Sequence, residues 1–243
     1  MPEGPSIVIL KEQAGPFSGR FIHCVEGNAK LDLARLDGAR ILALRSFGKQ
    51  FLIETSALTV RIHLLMFGSY RINERADKPA RLALRFARGE LSFYACSVRY
   101  LDEPLDKLYD WRTDVLSDQW DARLALKRLR AKPDTLVCDA LLDQDVFAGV
   151  GNIIKNEVLF RIRVHPLSTV GALPAPKLRE LVREARQYSF DFLYWKKRYV
   201  LRAHWLAHNK SVCPRDHVKY QRAYLGVRQR RSFYCELCQR RYT

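Results

Sequence analysis

The sequence has no long apolar run and only a modest number of cysteines. No stretch approaches the roughly 18 uninterrupted apolar residues of a membrane span. The opening MPEGPSIVILKEQ carries two acids and two prolines where a signal peptide has basic residues. Six cysteines in 243 residues are too few and too unevenly spread for a secreted disulfide scaffold. These absences predict a cytoplasmic protein with no membrane span, and 48% hydrophobic residues are enough for a folded core.

Acidic residues are scarce relative to basic ones. Lys and Arg number 42 against 26 Asp and Glu, a formal net charge of +16. The segment 196–243 alone holds thirteen Lys/Arg and two acids, a net charge of +11. A basic pole favours a polyanionic partner, because each neutralised phosphate releases counterions. Composition leaves DNA, RNA, anionic lipid and a merely solvated basic surface all open.

Hydrophobic periodicity changes character along the chain. Residues 1–105 hold a short opening helix and then β-branched and aromatic runs broken by Gly, Asp and Asn. Residues 119–209 space their apolar side chains by three and four, as helices do. The polar segment 210–243 is too short for its own core and needs a staple. The class is therefore α+β: an N-terminal antiparallel β-sandwich with a flanking helix, a linker at 106–118, a helical domain and a stapled hairpin.

Two glycines and an asparagine separate apolar segments in LLDQDVFAGVGNIIKNEVLF. Gly149 and Gly151 allow a tight turn, and Asn152 is a good N-cap for the following helix. A helix N-terminus with free N–H groups is a natural phosphate site. A purely structural helix pair is the alternative, since many join in this way without a ligand.

Three separated motifs resemble one family. FAGVGNIIKNEVLF is similar to the helix-two-turn-helix signature of the formamidopyrimidine-DNA glycosylase and endonuclease VIII family. The opening MPEGP resembles that family's amino terminus, and the cysteines near the end resemble its zinc finger. The resemblance covers the chain from end to end. It implies a bifunctional DNA glycosylase and AP lyase of base excision repair, acting as a monomer on damaged DNA.

The resemblance assigns catalysis to the start of the chain and to one lysine. Removal of Met1 leaves Pro2 with a secondary amine, and an α-amino group has a pKa of roughly 7.7–8.0, so part of it is neutral near pH 7. A neutral amine can attack a sugar C1′ and form an iminium. By resemblance Pro2 is this nucleophile, Glu3 the general acid/base, and Lys49, after Gly48, a hairpin-tip cation for the neighbouring phosphate. Without the resemblance, an ordinary terminus and a solvated turn lysine would be the simpler interpretations.

The segment HLLMFGS places Leu65, Met66 and Phe67 directly before a glycine. Taken alone, this is typical of a buried strand end. Enzymes that act on a base within duplex DNA must extrude it, and apolar wedges fill the gap. By resemblance these three residues are the wedge, and His63 contacts a nearby phosphate.

The wedge also bears on the choice of lesion. Three consecutive wedge residues, MPEGP rather than MPELP, and a short segment before Cys213 resemble the endonuclease VIII branch, which implies oxidised pyrimidines. An oxidised-purine glycosylase of the same family, acting on 8-oxoguanine or formamidopyrimidine, is the alternative. A non-catalytic binder of abasic or damaged DNA and a zinc-ribbon RNA-binding protein are rival classes.

The last 31 residues contain three cysteines, Cys213, Cys235 and Cys238. The pair at x2 spacing, Cys235 and Cys238, forms half of a zinc site, but the other half has Asp216 at the x2 position and His217 one residue later. Structural zinc favours Cys and His over carboxylate. We therefore expect one structural Zn²⁺ bound by three cysteines and His217. Asp216 as the fourth ligand and a metal-free finger are the alternatives.

Two arginines lie in the predicted hairpin VRQRRSFYC. The family places an arginine five residues before the third ligand, which by resemblance makes Arg230 the residue that reaches phosphates beside the flipped nucleotide and aids elimination. Arg231 would take that position if the hairpin shifted by one residue. A solvated basic hairpin is the simpler alternative.

Overall fold

The structure is a computed structural model that describes residues 2–243. The chain divides into two compact units, the first ending at Asp110 and the second beginning at Trp111. The helices are α1 (Gly4–Ala14), α2 (Leu105–Leu108), α3 (Ala122–Arg130), α4 (Val137–Ala140), α5 (Asn152–Arg161) and α6 (Ala175–Lys197). The strands are β1 (Cys24–Glu26), β2 (Ile41–Phe47), β3 (Gln50–Thr55), β4 (Thr59–Ile72), β5 (Leu82–Arg85), β6 (Glu90–Leu101), β7 (Gln221–Leu225) and β8 (Arg230–Tyr234). Short 3₁₀ helices span Gly15–Phe17, Leu33–Leu36, Trp111–Thr113 and Leu201–His204.

The first unit is built on one antiparallel sheet with strand order β1-β5-β6-β4-β3-β2. Helix α1 starts readily because Pro5 lies in its first turn, where a missing N–H costs nothing. Its residues Ile7, Leu10 and Ala14 are fully buried and pack into a core with the inward side chains of the strands. The helix therefore carries the start of the chain against the sheet.

Strands β4 and β6 pair with each other along two separate stretches. Residues 59–64 of β4 pair with 96–101 of β6, and residues 69–72 pair with 91–94. Between these stretches four β4 residues, 65–68, stand opposite the single residue Ala95, which has a φ of +48°. Such an irregularity disrupts the ladder and redirects side chains.

The second unit is mainly helical and ends in the β7–β8 hairpin. Helix α5 packs against α6 and β8, and every one of its residues from Asn152 to Phe160 is buried. Its apolar side chains join α6 residues such as Leu181 and Tyr188 in one core. A helix buried on all sides must also bury its polar side chains, which then need partners.

The predicted α+β class is confirmed: an antiparallel sheet follows a short helix, and a helical region precedes a terminal hairpin with clustered cysteines. Helices α3, α4, α5 and α6 lie within residues 119–209, where the apolar spacing predicts helices. Within residues 2–243, no helix is both long enough and apolar enough to span a bilayer.

Candidate active site and nucleic-acid interface

The start of the chain places Pro2 next to a buried carboxyl group. Glu3 is fully buried, while Pro2 is half-buried. The Glu3 backbone is extended, with φ −118° and ψ 173°, and its carbonyl accepts a hydrogen bond from the Ser6 N–H at 2.8 Å. Glu3 thus occupies the N-cap position of α1, where the helix dipole favours a negative charge. Met1, whose removal the predicted nucleophile requires, lies outside the described residues.

Lys49 lies at a hairpin tip, where the family resemblance implies it. Gly48 and Lys49 form the two-residue turn between β2 and β3, which closes on the pair Phe47 and Gln50. Gly48 has a φ of +53°, a conformation that tight hairpins require and glycine adopts at little cost. The turn holds a lysine at a fixed place beside the sheet.

The fold brings His63 close to Lys49. His63 pairs across the ladder with Gln50, the residue that follows Lys49. Burial lowers the pKa of the His63 imidazole below its usual 6.5, and the positive charges of Lys49 and Arg61 lower it further. His63 is therefore neutral near pH 7 and can donate a hydrogen bond without adding a charge.

The three wedge candidates project from the sheet rather than into the core. Leu65, Met66 and Phe67 are 48%, 53% and 82% exposed. They lie in the bulged segment opposite Ala95. A Cβ on Gly68 would come within 2.9 Å of Ala95 O and 2.8 Å of Leu65 N, so the bulge requires glycine. The alternative of a buried strand end does not apply.

Asn152 differs from its predicted capping role. Helix α5 begins with Gly151 at the N-cap, and Asn152 is its first residue, without a side-chain cap. The Asn152 amide instead donates through Nδ2 to the carbonyl of Arg231 at 2.9 Å. The two turn glycines behave differently: Gly149 has a φ of +103°, whereas Gly151 is extended. The extended Gly151 starts the helix one residue early and frees Asn152 to bind the hairpin.

Two further polar residues of α5 hold the β8 strand. Lys155 is 1% exposed and donates through Nζ to Ser232 Oγ at 2.7 Å. Asn156 accepts the Phe233 N–H at 3.3 Å and donates to the Arg231 carbonyl at 3.3 Å. Neither residue is among the sites predicted from the sequence. The signal was the apolar residues on every face of NIIKNEVLF, which leave no solvent face for the polar ones.

Glu157 anchors the segment between α6 and the hairpin. Its fully buried carboxylate accepts N–H groups of Leu206 at 3.0 and 3.1 Å, Ala207 at 2.9 Å and His208 at 2.7 Å. Burial raises the Glu157 pKa, while these N–H donors and Arg161 oppose the rise. Burial also lowers the His208 pKa to about 4, with further lowering by Lys155 and Arg231. Buried polar groups therefore fix the segment that leads from α6 to the β7–β8 hairpin.

The tip of the hairpin is held by Asp139 of α4. The Asp139 carboxylate accepts the Val227 N–H at 2.9 Å and the Arg228 N–H at 3.4 Å. Gly226, with a φ of +75°, leaves space for it, since a Cβ there would lie 2.3 Å from Asp139 Oδ2. Asp139 is also not among the sites predicted from the sequence.

The fold gathers three cysteines and one aspartate. Ligand atoms of Cys213, Asp216, Cys235 and Cys238 all lie within 4.8 Å of one another. Cys213 Sγ lies 3.8 Å from Cys238 Sγ, and Asp216 Oδ2 lies 3.4 Å from Cys213 Sγ and 3.1 Å from Cys235 Sγ. A tetrahedral zinc with bonds of about 2.3 Å to sulfur and about 2.0 Å to oxygen needs edges of about 3.8 and 3.5 Å. The donor set fits such an ion.

His217 is not a member of this group, contrary to the expected Cys3His set. Its backbone has a φ of +57°, its N–H donates to the Cys213 carbonyl at 2.9 Å, and its side chain is exposed. The x2 spacing returns the side chain of Asp216, rather than that of His217, to the side of the turn that bears Cys213. Hydrogen bonds with Cys235, Cys238 and Cys213 lower the pKa of Asp216, so it is ionised at neutral pH.

Arg230 and Arg231 begin β8 opposite Leu225 and Tyr224. Successive strand residues point to opposite faces. Arg230 is half-buried, while Arg231 is exposed with its guanidinium 5.3 Å from the Phe233 ring centre. The two side chains therefore lie on opposite faces of the hairpin.

Family models match both units. A model described as the formamidopyrimidine-DNA glycosylase N-terminal domain matches residues 1–102. Another, the formamidopyrimidine-DNA glycosylase H2TH domain, matches residues 112–188. Together they span most of the chain.

Curated relatives carry the endonuclease 8 name. Endonuclease 8-like 2 of Bos taurus is 37% identical over 193 residues, which cover 72% of this chain and 56% of the relative. Endonuclease 8-like 3 of Xenopus laevis is 29% identical, over 86% of this chain and 36% of the relative. Endonuclease 8 2 of Mycobacterium tuberculosis is 33% identical, over 76% of this chain and 77% of the relative. The chain thus spans about half or less of the vertebrate relatives.

Solved structures share the whole fold. A viral DNA glycosylase superposes with a TM-score of 0.82 at 22% identity, covering 98% of this chain and 99% of that one. The Lactococcus lactis formamidopyrimidine-DNA glycosylase bound to DNA with an AP site gives 0.85 at 20% identity, covering 98% and 100%.

Proposed function

Because this chain belongs to the formamidopyrimidine-DNA glycosylase and endonuclease VIII family of base-excision-repair glycosylases, we propose that it is a bifunctional DNA glycosylase and AP lyase for oxidised bases. The observation that carries this proposal is the pairing of Pro2 with the buried carboxyl of Glu3 at the start of α1. An amine and a proton donor side by side are what Schiff-base chemistry on a sugar needs.

The reaction begins with attack of the Pro2 nitrogen on C1′ of the damaged nucleotide. The base leaves with the electrons of the glycosidic bond and takes up a proton. The Pro2 nitrogen loses its proton to the Glu3 carboxylate as the C1′–O4′ bond opens to give the iminium, and Glu3 passes that proton to O4′. Loss of a C2′ proton then expels the 3′ phosphate, and loss of a C4′ proton expels the 5′ phosphate. A one-nucleotide gap with phosphate ends remains.

Other residues have positioning roles in this proposal. Leu65, Met66 and Phe67, exposed on the bulge, fill the space of the extruded base. Lys49 and the neutral His63 contact phosphates, one through its charge and the other through a hydrogen bond. These side chains are supported in place by the hairpin turn and by the cross-strand pairing of β3 with β4.

The second unit supplies the remaining DNA contacts. The Asn152 amide uses one N–H for the Arg231 carbonyl and has another for a phosphate. Arg230 approaches the phosphates beside the flipped nucleotide and assists the second elimination, and Arg231 adds charge on the other face. The basic segment 196–243 provides salt-dependent affinity.

A borohydride trapping assay tests the nucleophile. Wild-type protein with Met1 removed should form a covalent complex with lesion-containing duplex, and Pro2→Gly or retention of Met1 should abolish it. Mass spectrometry of the intact protein establishes the terminus. Pro16→Gly, at an exposed position of the same unit, is the matched control and should trap normally. Trapping that persists with Pro2→Gly and with Met1 retained would exclude Pro2.

Oxidised pyrimidines are the proposed substrate class, supported by the three consecutive exposed wedge residues. An incision panel should contain thymine glycol, 5-hydroxyuracil, 8-oxoguanine and an abasic site. Preference for 8-oxoguanine opposite cytosine by a wide margin would assign the purine branch instead. Binding without incision of any substrate would favour the non-catalytic binder.

We propose zinc as the ion of the cysteine cluster, with Cys213, Asp216, Cys235 and Cys238 as ligands and a structural role. Zinc would cross-link the hairpin to the preceding loop, which has little core of its own. Purified Asp216→Ala should retain much less zinc by mass spectrometry and lose it faster to a chelator. The neighbouring His217→Ala should match the wild type. The reverse pattern would restore His217 as the ligand.

A further inference from the structure

The C-terminal end of α6 carries an exposed row of aromatic rings and arginines. Phe190, Tyr194 and Arg198 follow one another at intervals of four, which places them on one helix face. Phe190 is 37% and Tyr194 54% exposed, and Tyr199, just beyond the helix, is 94% exposed. We name Phe190, Tyr194, Arg198 and Tyr199 the aromatic patch.

Tyr199 is in a backbone conformation that usually belongs to glycine. Its φ is +60°. Its N–H donates to the Lys196 carbonyl at 3.1 Å, and the Val200 N–H donates to the Trp195 carbonyl at 3.1 Å. This bond pair is the Schellman ending of a helix, in which glycine is the common residue at the Tyr199 position. Ending the helix therefore does not call for a tyrosine.

Within residues 2–243, the Tyr199 ring makes no contact that would offset this strain. Among the described residues it makes no side-chain hydrogen bond and no ring contact, and almost all of its surface faces solvent. A left-handed residue that persists without internal compensation points to an external function. A ring held out from a helix end by a rigid backbone is suited to stacking.

The charge around the patch selects an anionic partner. Residues 196–202 contain four basic side chains and no acid. The Arg198 guanidinium lies 3.5 Å from the centre of the Tyr194 ring, so cation and ring form one surface. Such a surface matches a partner that combines phosphates with flat apolar groups.

From these features we propose that the aromatic patch binds unpaired nucleotides of a DNA strand by stacking. Single strands expose base faces that a duplex hides, and positive grooves with aromatic rings are how proteins bind them without sequence preference. The arrangement is less suited to a lipid surface, because α6 buries its aliphatic residues Leu181, Val182 and Ala185 in its own unit. The proposal takes from the proposed function only that the partner is DNA.

Anisotropy with fluorescent dT12 and the full chain tests the patch. Tyr199→Gly should weaken binding at least fivefold, since stacking contributes about 1–3 kcal/mol per base, a factor of roughly 5 to 150. The same substitution should leave the thermal midpoint equal or raise it, because glycine is the favoured residue there. Tyr194→Ala should weaken dT12 binding similarly. Phe21→Ala is the matched control, as Phe21 is 56% exposed with Arg40 near its ring in the other unit, and it should bind normally.

The outcomes separate this proposal from the lesion chemistry. Unchanged dT12 affinity in both patch variants overturns it. Loss of binding to phosphatidylserine vesicles without loss of dT12 binding also overturns it and assigns the patch to membranes. Borohydride trapping on lesion-containing duplex should be unaffected by Tyr199→Gly. A wild-type protein that never traps, yet loses dT12 affinity on that change, would refute the proposed function and leave the patch intact.

Discussion

The two units present their polar and functional residues in opposite ways. In the first unit, Lys49 lies on a turn and the exposed residues 65–67 lie on a bulge, outside the core. In the second, Asn152, Lys155 and Glu157 are buried and bind backbone groups of the hairpin and its approach. Substitutions at positions 65–67 should therefore leave the stability of the first unit unchanged. The second uses the same helix for folding and for placing the hairpin.

The largest effect should follow removal of the buried carboxylate. Glu157→Ala leaves the three N–H groups of residues 206–208 without their acceptor and should lower the free energy of unfolding by about 3–5 kcal/mol. Urea denaturation measures it. Glu180→Ala, which removes a half-exposed partner of Lys177, should cost less than about 1 kcal/mol. Equal losses in the two variants would show that the buried carboxylate of the second unit contributes no more than an exposed one.

Gly68→Ala should cause a smaller loss of folding stability. Gly68 is the position in the 65–68 bulge where a side chain does not fit. The new Cβ would lie within 2.9 Å of backbone atoms of Leu64, Leu65 and Ala95. We expect a loss of about 2 kcal/mol, typical of overpacking. Gly15→Ala is the control, because nothing lies within 4 Å of its Cβ position. A neutral Gly68→Ala would show that the bulge is more adaptable than its geometry indicates.

Acid should weaken the second unit through His208. Burial lowers its folded pKa to about 4, whereas the unfolded value is about 6.5. Between about pH 4 and 6.5 the His208 imidazole binds a proton more readily in the unfolded chain than in the folded one. The contribution of neutral His208 to folding stability is therefore complete above about pH 6.5 and is lost as the pH falls towards 4. Thermal midpoints of wild type and His208→Phe should converge over this range. Parallel profiles would mean that His208 is not the group responsible.

The smallest stability effect should follow Phe67→Ala, because this side chain is 82% exposed. Unfolding free energy should stay within about 0.5 kcal/mol of the wild type. Incision of lesion duplex should fall roughly 10- to 100-fold, since unstacking a base step costs a few kcal/mol. Leu42→Ala, at a 59% exposed position on β2, should keep full incision. A stability loss above 1 kcal/mol would place Phe67 in the core.

The sequence correctly predicts those structural features that depend only on neighbouring residues. The helical periodicity within residues 119–209 and the x2 spacing of Cys235 and Cys238 each depend on neighbouring residues, and the structure has them as predicted. The position of the Gly48-Lys49 turn is instead implied by the family resemblance, and the structure has a turn there. The Asn152 cap and the His217 ligand were misplaced by one residue. The backbone angles of Gly151 and His217 decide these positions, and those angles depend on distant hydrogen bonds to β8 and on closure of the cysteine cluster.

The attachment of the β7–β8 hairpin limits how it can be engineered. Asp139 binds its tip, and α5 side chains bind its Arg231 carbonyl and Ser232 hydroxyl. A β7–β8 hairpin transplanted from a relative would need a glycine at the position of Gly226, which faces Asp139. It would also need a serine at the position of Ser232, which binds Lys155. Recombination between family members should therefore succeed when the crossover precedes α4, so that helix and finger are inherited together. Exchange of the hairpin alone would lose its hydrogen bonds to Asp139, Asn152 and Lys155.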